Sequence, residues 1–200
     1  MTWFSWIKKY FKRGFWRIDL HLWRFYSFQR AYGISLRNRP QKRILGLTYG
    51  ETPAREFFSL LSWIEMPPGF HFLELGAGTA RLSLMLAQLR AGKVTAIDCI
   101  APFVDNANRI STSLKLDDFI AKEADIFDVQ WSQADVIYLT ATAFSDEQVR
   151  MFHEKSLEMK RGAFLFSLTH VPKKDVFQCI QMEIISTSWG ASTVYLSRRL

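Results

Sequence analysis

The chain has 200 residues, 48% of them apolar, enough to bury a core, yet no apolar run reaches the length of a bilayer span. The net charge of +7 is uneven: residues 1–43 hold eleven basic side chains against the single acid Asp19, which leaves −3 for the rest of the chain. The two cysteines, Cys99 and Cys179, stand far apart with no His or Cys cluster beside them. That argues against a disulfide framework or a metal centre and suits buried thiols in a reducing compartment.

Charges interrupt the apolar residues of the N-terminus throughout, so it does not read as a cleaved signal peptide. The expectation is a cytoplasmic protein of one domain plus an appendage. Residues 2–28 predict one amphipathic helix. At a hundred degrees per residue Trp3, Phe4, Ile7, Tyr10, Phe11, Phe15, Ile18, Leu22 and Phe25 share a face. Lys8, Lys9, Lys12, Arg13, Arg17 and Arg24 fall opposite, and Trp6, Trp16 and Trp23 lie toward the polar side. Basic and bulky aromatic residues together suit a helix lying peripherally on an anionic membrane. Packing on its own domain or a partner is a second reading, and a nucleic-acid arm is a weaker third.

Residues 31–48 read as a basic linker of poor periodicity. Tyr49-Gly50-Glu51-Thr52-Pro53 then opens a helix, with Thr52 as N-cap and Pro53 in the first helical position. Its core face is Phe57, Phe58, Leu60, Leu61 and Ile64, and Pro67-Pro68-Gly69 ends it. The organising stretch follows. Phe70 to Leu75 predicts an apolar strand that breaks at Gly76 and re-enters a helix at Thr79, whose apolar positions Leu82, Leu84, Met85, Leu86 and Leu89 imply one buried face. Two glycines, Gly76 and Gly78, let a ligand approach the backbone, and N–H groups at the helix start are expected to donate to it.

This is the nucleotide-binding corner of an open α/β sheet. Glu74 stands two residues before the first glycine, where a carboxylate repels a pyrophosphate but suits a cation. The third glycine of the dinucleotide fingerprint is missing, since Ala80 and Arg81 stand there. S-adenosylmethionine, with an ammonium, a sulfonium and no phosphate, fits better than a nicotinamide dinucleotide.

A second strand, Lys93 to Asp98, ends in an acid about twenty residues past the turn. Asp98 is placed to bond ribose hydroxyls, or simply to cap the strand end. A helix over 102–114 and a strand over 119–124 lead to Asp125, placed to meet adenine, with Asp128 as a competitor. Asp135 to Thr140 has the continuous apolar run of a buried parallel strand, and its end faces the methyl group. A helix over 146–160 and a strand over 163–169 follow. The stretches 177–187 and 192–199 have no helix between them and read as an antiparallel edge pair. The fold class is therefore α/β: a Rossmann-like, seven-stranded, mostly parallel sheet with an antiparallel edge hairpin and an N-terminal amphipathic helix. The division is 1–47, helix and linker, and 48–200, the sheet domain.

These residues resemble the non-SET lysine methyltransferases of the disruptor-of-telomeric-silencing type, within the class I S-adenosylmethionine-dependent methyltransferases. Tyr49-Gly50-Glu51-Thr52 is similar to that family's loop over the methionine end of the cofactor, and Glu74-Leu75-Gly76-Ala77-Gly78 to its acid-Leu-Gly-Ser-Gly motif. Asp125 falls where the family has an Asp-Phe pair at adenine, with Ile126 in place of Phe. Leu139-Thr140-Ala141-Thr142-Ala143-Phe144 is similar to its Val-Asn-Asn-Phe-Ala-Phe segment beside the target lysine, although Thr140 and Ala141 replace the two asparagines. The closing Ser188-Trp189-Gly190 and Val194-Tyr195-Leu196 are similar to its last hairpin. A weaker resemblance is to membrane-anchored lysine methyltransferases of the ATP-synthase c-subunit type, which share the glycine motif and a hydrophobic anchor.

The resemblance implies an enzyme that moves a methyl group from S-adenosylmethionine to a protein lysine. Tyr49, Glu51, Thr52, Glu74, Gly76, Gly78, Asp98, Asp125 and Ile126 would hold the cofactor. Thr140 would steer the amine, Phe144 with Trp189 and Tyr195 (or Val194 in the same role) would wall the lysine channel, and no metal is expected. A small-molecule or lipid methyltransferase of the same fold, and a non-catalytic cofactor-binding module, are the alternatives.

Overall fold

A computed structural model describes residues 3–27, 30–38 and 49–200. Its centre is a seven-stranded sheet in the order β3-β2-β1-β4-β5-β7-β6. The strands are β1 (Phe70–Leu75), β2 (Gly92–Asp98), β3 (Phe119–Glu123), β4 (Val136–Thr140), β5 (Phe164–Leu168), β6 (Phe177–Thr187) and β7 (Gly190–Arg199). The first five run parallel, and β7 pairs antiparallel with both β5 and β6. The expected fold class is therefore the one found. Strand β4 is central and buried on both faces, which is why its sequence is apolar without alternation. Strand order reverses between β1 and β4, and a crevice opens beyond their carboxyl ends.

Three helices belong to the alternating unit: α5 (Arg81–Ala87), α6 (Ala101–Leu114) and α7 (Asp146–Ser156). Helix α7 starts with a full capping box, Ser145 and Gln148 bonding each other's backbone N–H. Helix α4 (Ala54–Leu61) buries Phe57, Phe58, Leu60 and Leu61, as its periodicity requires, while Ile64 lies past its end. Its cap differs from expectation. Pro53 itself is the N-cap, and the Thr52 hydroxyl is drawn instead to Tyr138 Oη at 2.8 Å, because that buried phenol needs a partner.

The largest departures are N-terminal. Residues 3–26 form two helices, α1 (Trp3–Lys12) and α2 (Phe15–Tyr26), not one. Gly14 breaks them at φ 73°, a left-handed value that glycine adopts without penalty. The break resets the helical phase. In α1 the inward residue is Trp6, and Trp3, Phe4 and Phe11 stay exposed, whereas α2 buries Phe15, Ile18 and Leu22 as its own periodicity dictates. A third helix, α3 (Ala31–Arg37), occupies part of the stretch read as linker and buries Ile34 and Ser35. The rest of that linker, 39–48, with the boundary placed at 47/48, lies outside the described residues.

The helix pair shares the core of the sheet domain. Phe15 stacks on Phe58 with ring centroids 5.1 Å apart, and Trp6 meets the same ring at 5.6 Å. Asp19 accepts two hydrogen bonds from the Arg81 guanidinium, at 2.6 and 2.8 Å, and one from Tyr10 Oη at 2.7 Å. This explains a further difference. Helix α5 is buried from Leu82 to Ala87 on all sides, not on one face, because α2 packs across its outer surface. Phe15 is wholly enclosed, so Phe15→Ala is expected to lower stability by about 3–5 kcal/mol in chemical denaturation. A loss below about 1 kcal/mol would mean that α2 does not dock on the domain in solution.

Candidate active site

The crevice at the carboxyl ends of β1, β2 and β4 is an open cleft of about 1060 Å³, mouth included. A smaller pocket adjoins it, with Tyr49, Gly50, Gly76 and Thr140 shared by both walls. The main cleft takes in Gly78, Asp98, Asp125, Ile126 and Phe144, and the smaller pocket Glu51, Thr52 and Glu74. With Trp189 of the main cleft, twelve of the thirteen residues expected from the sequence thus line one or other of these adjoining spaces. Tyr195 does not: it lies on β7 opposite Ser167 and Met182, outside the lining of either space. The neighbouring Val194 is buried in the core and lines neither. The aromatic that the hairpin contributes is Trp189, at its turn.

The glycine turn is folded by its own chain. Gly76 N and Ala77 N both donate to Ile97 O at 2.9 Å, and Gly78 N donates to Asp98 Oδ2 at 2.7 Å. These turn N–H groups are spent internally, as are Ala80 N (to Ala77 O, 2.8 Å) and Ser83 N (to Glu74 Oε2, 3.2 Å) at the helix start where the sequence predicts donation to a ligand. A phosphate cradle of the dinucleotide type therefore does not form here. Gly76 and Gly78 have φ of 74° and 54°. A Cβ on Gly78 would stand 2.9 Å from the Tyr49 ring, so that glycine makes room for the tyrosine over the turn. The Tyr49 loop is held from two sides. Tyr49 Oη and Thr79 Oγ1 both donate to Glu51, and Glu51 exchanges hydrogen bonds with Ser188 through N–H (2.7 Å to Oγ) and C=O (3.0 Å from N). A Cβ on Gly50 would fall inside the Trp189 ring, so the loop and the hairpin close on each other only because that position is glycine.

The charges define what fits. Glu51, Glu74 and Asp98 surround the turn, and among the described residues no Lys, Arg or His lines the main cleft. Arg81 borders the smaller pocket, but its guanidinium is engaged by Asp19. Burial pushes the Glu74 carboxyl up to about 7, against the lowering effect of Ser83, whose Oγ donates to it at 2.5 Å. Burial also raises Asp98, partly offset by the N–H groups of Gly78 and Ile100. Tyr49 is raised by burial and then by the Glu51 charge, so its phenol stays protonated. Cys99 is pushed up to about 11 by burial, which leaves no thiolate at neutral pH. A cationic ligand without phosphate suits this carboxylate set, and an anionic one does not.

At the far end of the cleft Ile126 and Phe127 form an apolar floor. Asp125 Oδ1 accepts from Phe127 N at 2.9 Å, and Trp131 Nε1 fixes Ile126 O at 2.9 Å. Phe127 supplies an aromatic that the sequence reading missed; the signal was the Asp125-x-Phe127 spacing. Phe103, Gln148 and Ser35 of α3 are also in the lining and carried no local motif that announced them. Among the described residues no group of His, Cys, Asp and Glu is placed to hold a metal.

Two kinds of likeness bear on this site, one of sequence and one of structure. A sequence family described as a methyltransferase domain matches residues 67–185. A Salinibacter ruber RNA methyltransferase, solved with S-adenosyl-L-homocysteine, superposes with TM-score 0.59 at 16% identity, over 73% of this chain and 91% of that one. TrmN from Thermus thermophilus gives TM-score 0.63 at 17% identity over 86% of this chain, which spans only 53% of it. The B. subtilis M1A22 tRNA methyltransferase TrmK gives 0.54 at 14%, over 68% and 62%. At these identities the structural likeness speaks for the fold alone.

Three outcomes are expected. An ammonium beside Glu74 favours its ionised form, so S-adenosylmethionine affinity, measured by calorimetry, rises with pH up to about 7 and then levels, and Glu74→Gln weakens binding and flattens the profile. In the ligand-free protein the sign reverses. The folded state holds a proton that the unfolded state has lost above its ordinary 4.5, so stability falls as pH rises toward 7. Gly50→Ala displaces Trp189 and loosens binding about tenfold or more, read in the same titration.

Proposed function

We propose, for a chain that belongs to the methyltransferase-domain family and is an S-adenosylmethionine-dependent methyltransferase, that the acceptor is a primary amine and that this amine is a protein lysine. The observation that carries the amine is the chemistry of the acceptor end. Beyond Thr140 the cleft is walled by Thr142, Phe144, Gln148 and Trp189, and no titratable side chain stands among them. A hydroxyl or phenol acceptor needs a base to remove its proton, and this wall offers none. An amine can arrive neutral, and an apolar channel assists by disfavouring the ammonium.

S-adenosylmethionine, when bound, supplies a methyl group made electrophilic by its sulfonium. The chain's part is orientation and exclusion of water. Glu74, Glu51 and Thr52 would hold the amino-acid end, Asp98 the ribose, and Asp125, Ile126 and Phe127 the adenine. The Thr140 hydroxyl, at the end of β4 beside Gly76, would accept from the incoming amine and aim its lone pair. Phe144 and Trp189 would keep the channel dry, and the amine's proton would be lost to solvent before entry. The choice of lysine rests on the likeness of Tyr49-Gly50-Glu51-Thr52 and Glu74-Leu75-Gly76-Ala77-Gly78 to the non-SET lysine enzymes.

A nucleobase amine is the second reading. In its favour stand the structural neighbours named as RNA and tRNA methyltransferases and two rings of the cleft lining, Phe127 and Phe144, 5.7 Å apart, on which a base would stack.

The deciding experiment incubates the purified chain with methyl-labelled S-adenosylmethionine and host lysate, then separates protein, RNA and lipid. Label that protease removes and ribonuclease spares is expected. Label confined to RNA would replace lysine by the second reading, and label in lipid or small molecules would overturn both. With a lysine acceptor, kcat/KM rises about tenfold per pH unit from 7 toward 9, as the neutral amine fraction grows. Thr140→Val and Phe144→Ala are expected to lower kcat about tenfold or more while leaving cofactor affinity within about threefold.

A further inference from the structure

Helix α2 carries two apolar stripes, and only one is used. Phe15, Ile18 and Leu22 are buried against the domain. Trp16, Leu20 and Trp23 recur at i, i+4 and i+7 on the other side and stay 44%, 56% and 69% exposed. Helix α1 repeats the arrangement: Trp6 goes inward, while Phe4 at 85% and Phe11 at 62% face out. A helix that only packs on its own domain needs one such stripe.

The exposed side is also cationic. Lys8, Lys12, Arg13, Arg17 and Arg24 are all exposed. Asp19, the only acid of the pair, is turned inward to Arg81 and Tyr10. Broad aromatic rings beside cations, with no exposed acid among them, match the headgroup layer of an anionic bilayer. There the rings insert at the interface and the cations meet phosphates. Among the described residues no helix is long and apolar enough to cross a membrane. RNA would use the cations but has little use for exposed Leu20, and a second copy would bring like charges together.

We propose that α1 and α2 form an interfacial platform that seats this enzyme on an anionic lipid surface through Phe4, Phe11, Trp16, Leu20 and Trp23. The face differs from the one the sequence implied, since Phe15, Ile18 and Leu22 are consumed by the domain. The proposal does not rest on the lysine reading. Its test uses the full chain with phosphatidylcholine vesicles, with and without phosphatidylglycerol, read by co-sedimentation and tryptophan emission.

Binding to the anionic vesicles with a blue shift is expected. It should fall about tenfold or more in W16S/L20S/W23S and be lost in R13E/R17E/R24E. Circular dichroism and S-adenosylmethionine affinity should match the parent in both variants, since none of these residues lines the cleft. Equal sedimentation of parent and serine variant overturns the proposal. So does indifference to both vesicle types in a parent that instead retards RNA on a gel, or that forms a dimer which the serine variant abolishes.

Discussion

Helix α5 is buried on every side past Arg81, and much of the molecule follows from the need to cover it. Leu82 to Ala87 are all buried, so one side takes the sheet and the other must take something else. That covering is helix α2, with α1 packed beside it, pinned where the Arg81 guanidinium meets Asp19. A partly buried two-bond pair of this kind sets register as well as affinity, because a planar guanidinium accepts few geometries. The pinned residue is also the first of the helix that leaves the glycine turn, so the N-terminal helices are built onto the floor of the active site.

Selectivity in that site comes from what its backbone lacks. Gly76, Ala77 and Gly78 give their N–H groups to Ile97 and Asp98, and three carboxylates gather round the turn, where the one bordering guanidinium among the described residues, Arg81, is engaged by Asp19. Carboxylates set around a helix N-terminus, which ordinarily welcomes anions, suit a cation instead. Glycine at Gly50 and Gly78 then lets the Tyr49 loop nest between the turn and Trp189. The loop and the β6–β7 hairpin thus act as one wall, though some 137 residues separate Glu51 from Ser188.

The same economy shapes the outside. Once Phe15, Ile18 and Leu22 have covered α5, α2 still has Trp16, Leu20 and Trp23 in water. Exposed rings of that size cost solubility, and a surrounding field of lysine and arginine offsets it.

Strand and helix order, the glycine turn, the acids Glu74 and Asp98 and the closing antiparallel pair were all legible in the chain. Period and turn chemistry are local, and the local preferences agree with the fold. The break at Gly14 was a local signal too, overlooked because apolar residues on both sides of it can be phased as one helix. Which face of that helix docks was not local: α1 and α2 both offer two apolar stripes, and only the shape of α4 and α5 chooses Trp6 and Phe15. The role of Thr52 was likewise settled by a partner 86 residues away, Tyr138, and the absence of Tyr195 from the cleft by the register of β7 against β5. Sequence by itself determined the class of ligand, since the carboxylates and missing phosphate-binding features are composition at known spacing. Only the tertiary structure decided which turn N–H groups are spent internally, that Phe127 joins the cleft lining while Tyr195 does not, and which face of α2 stays exposed. Each depends on contacts between segments that no local preference encodes.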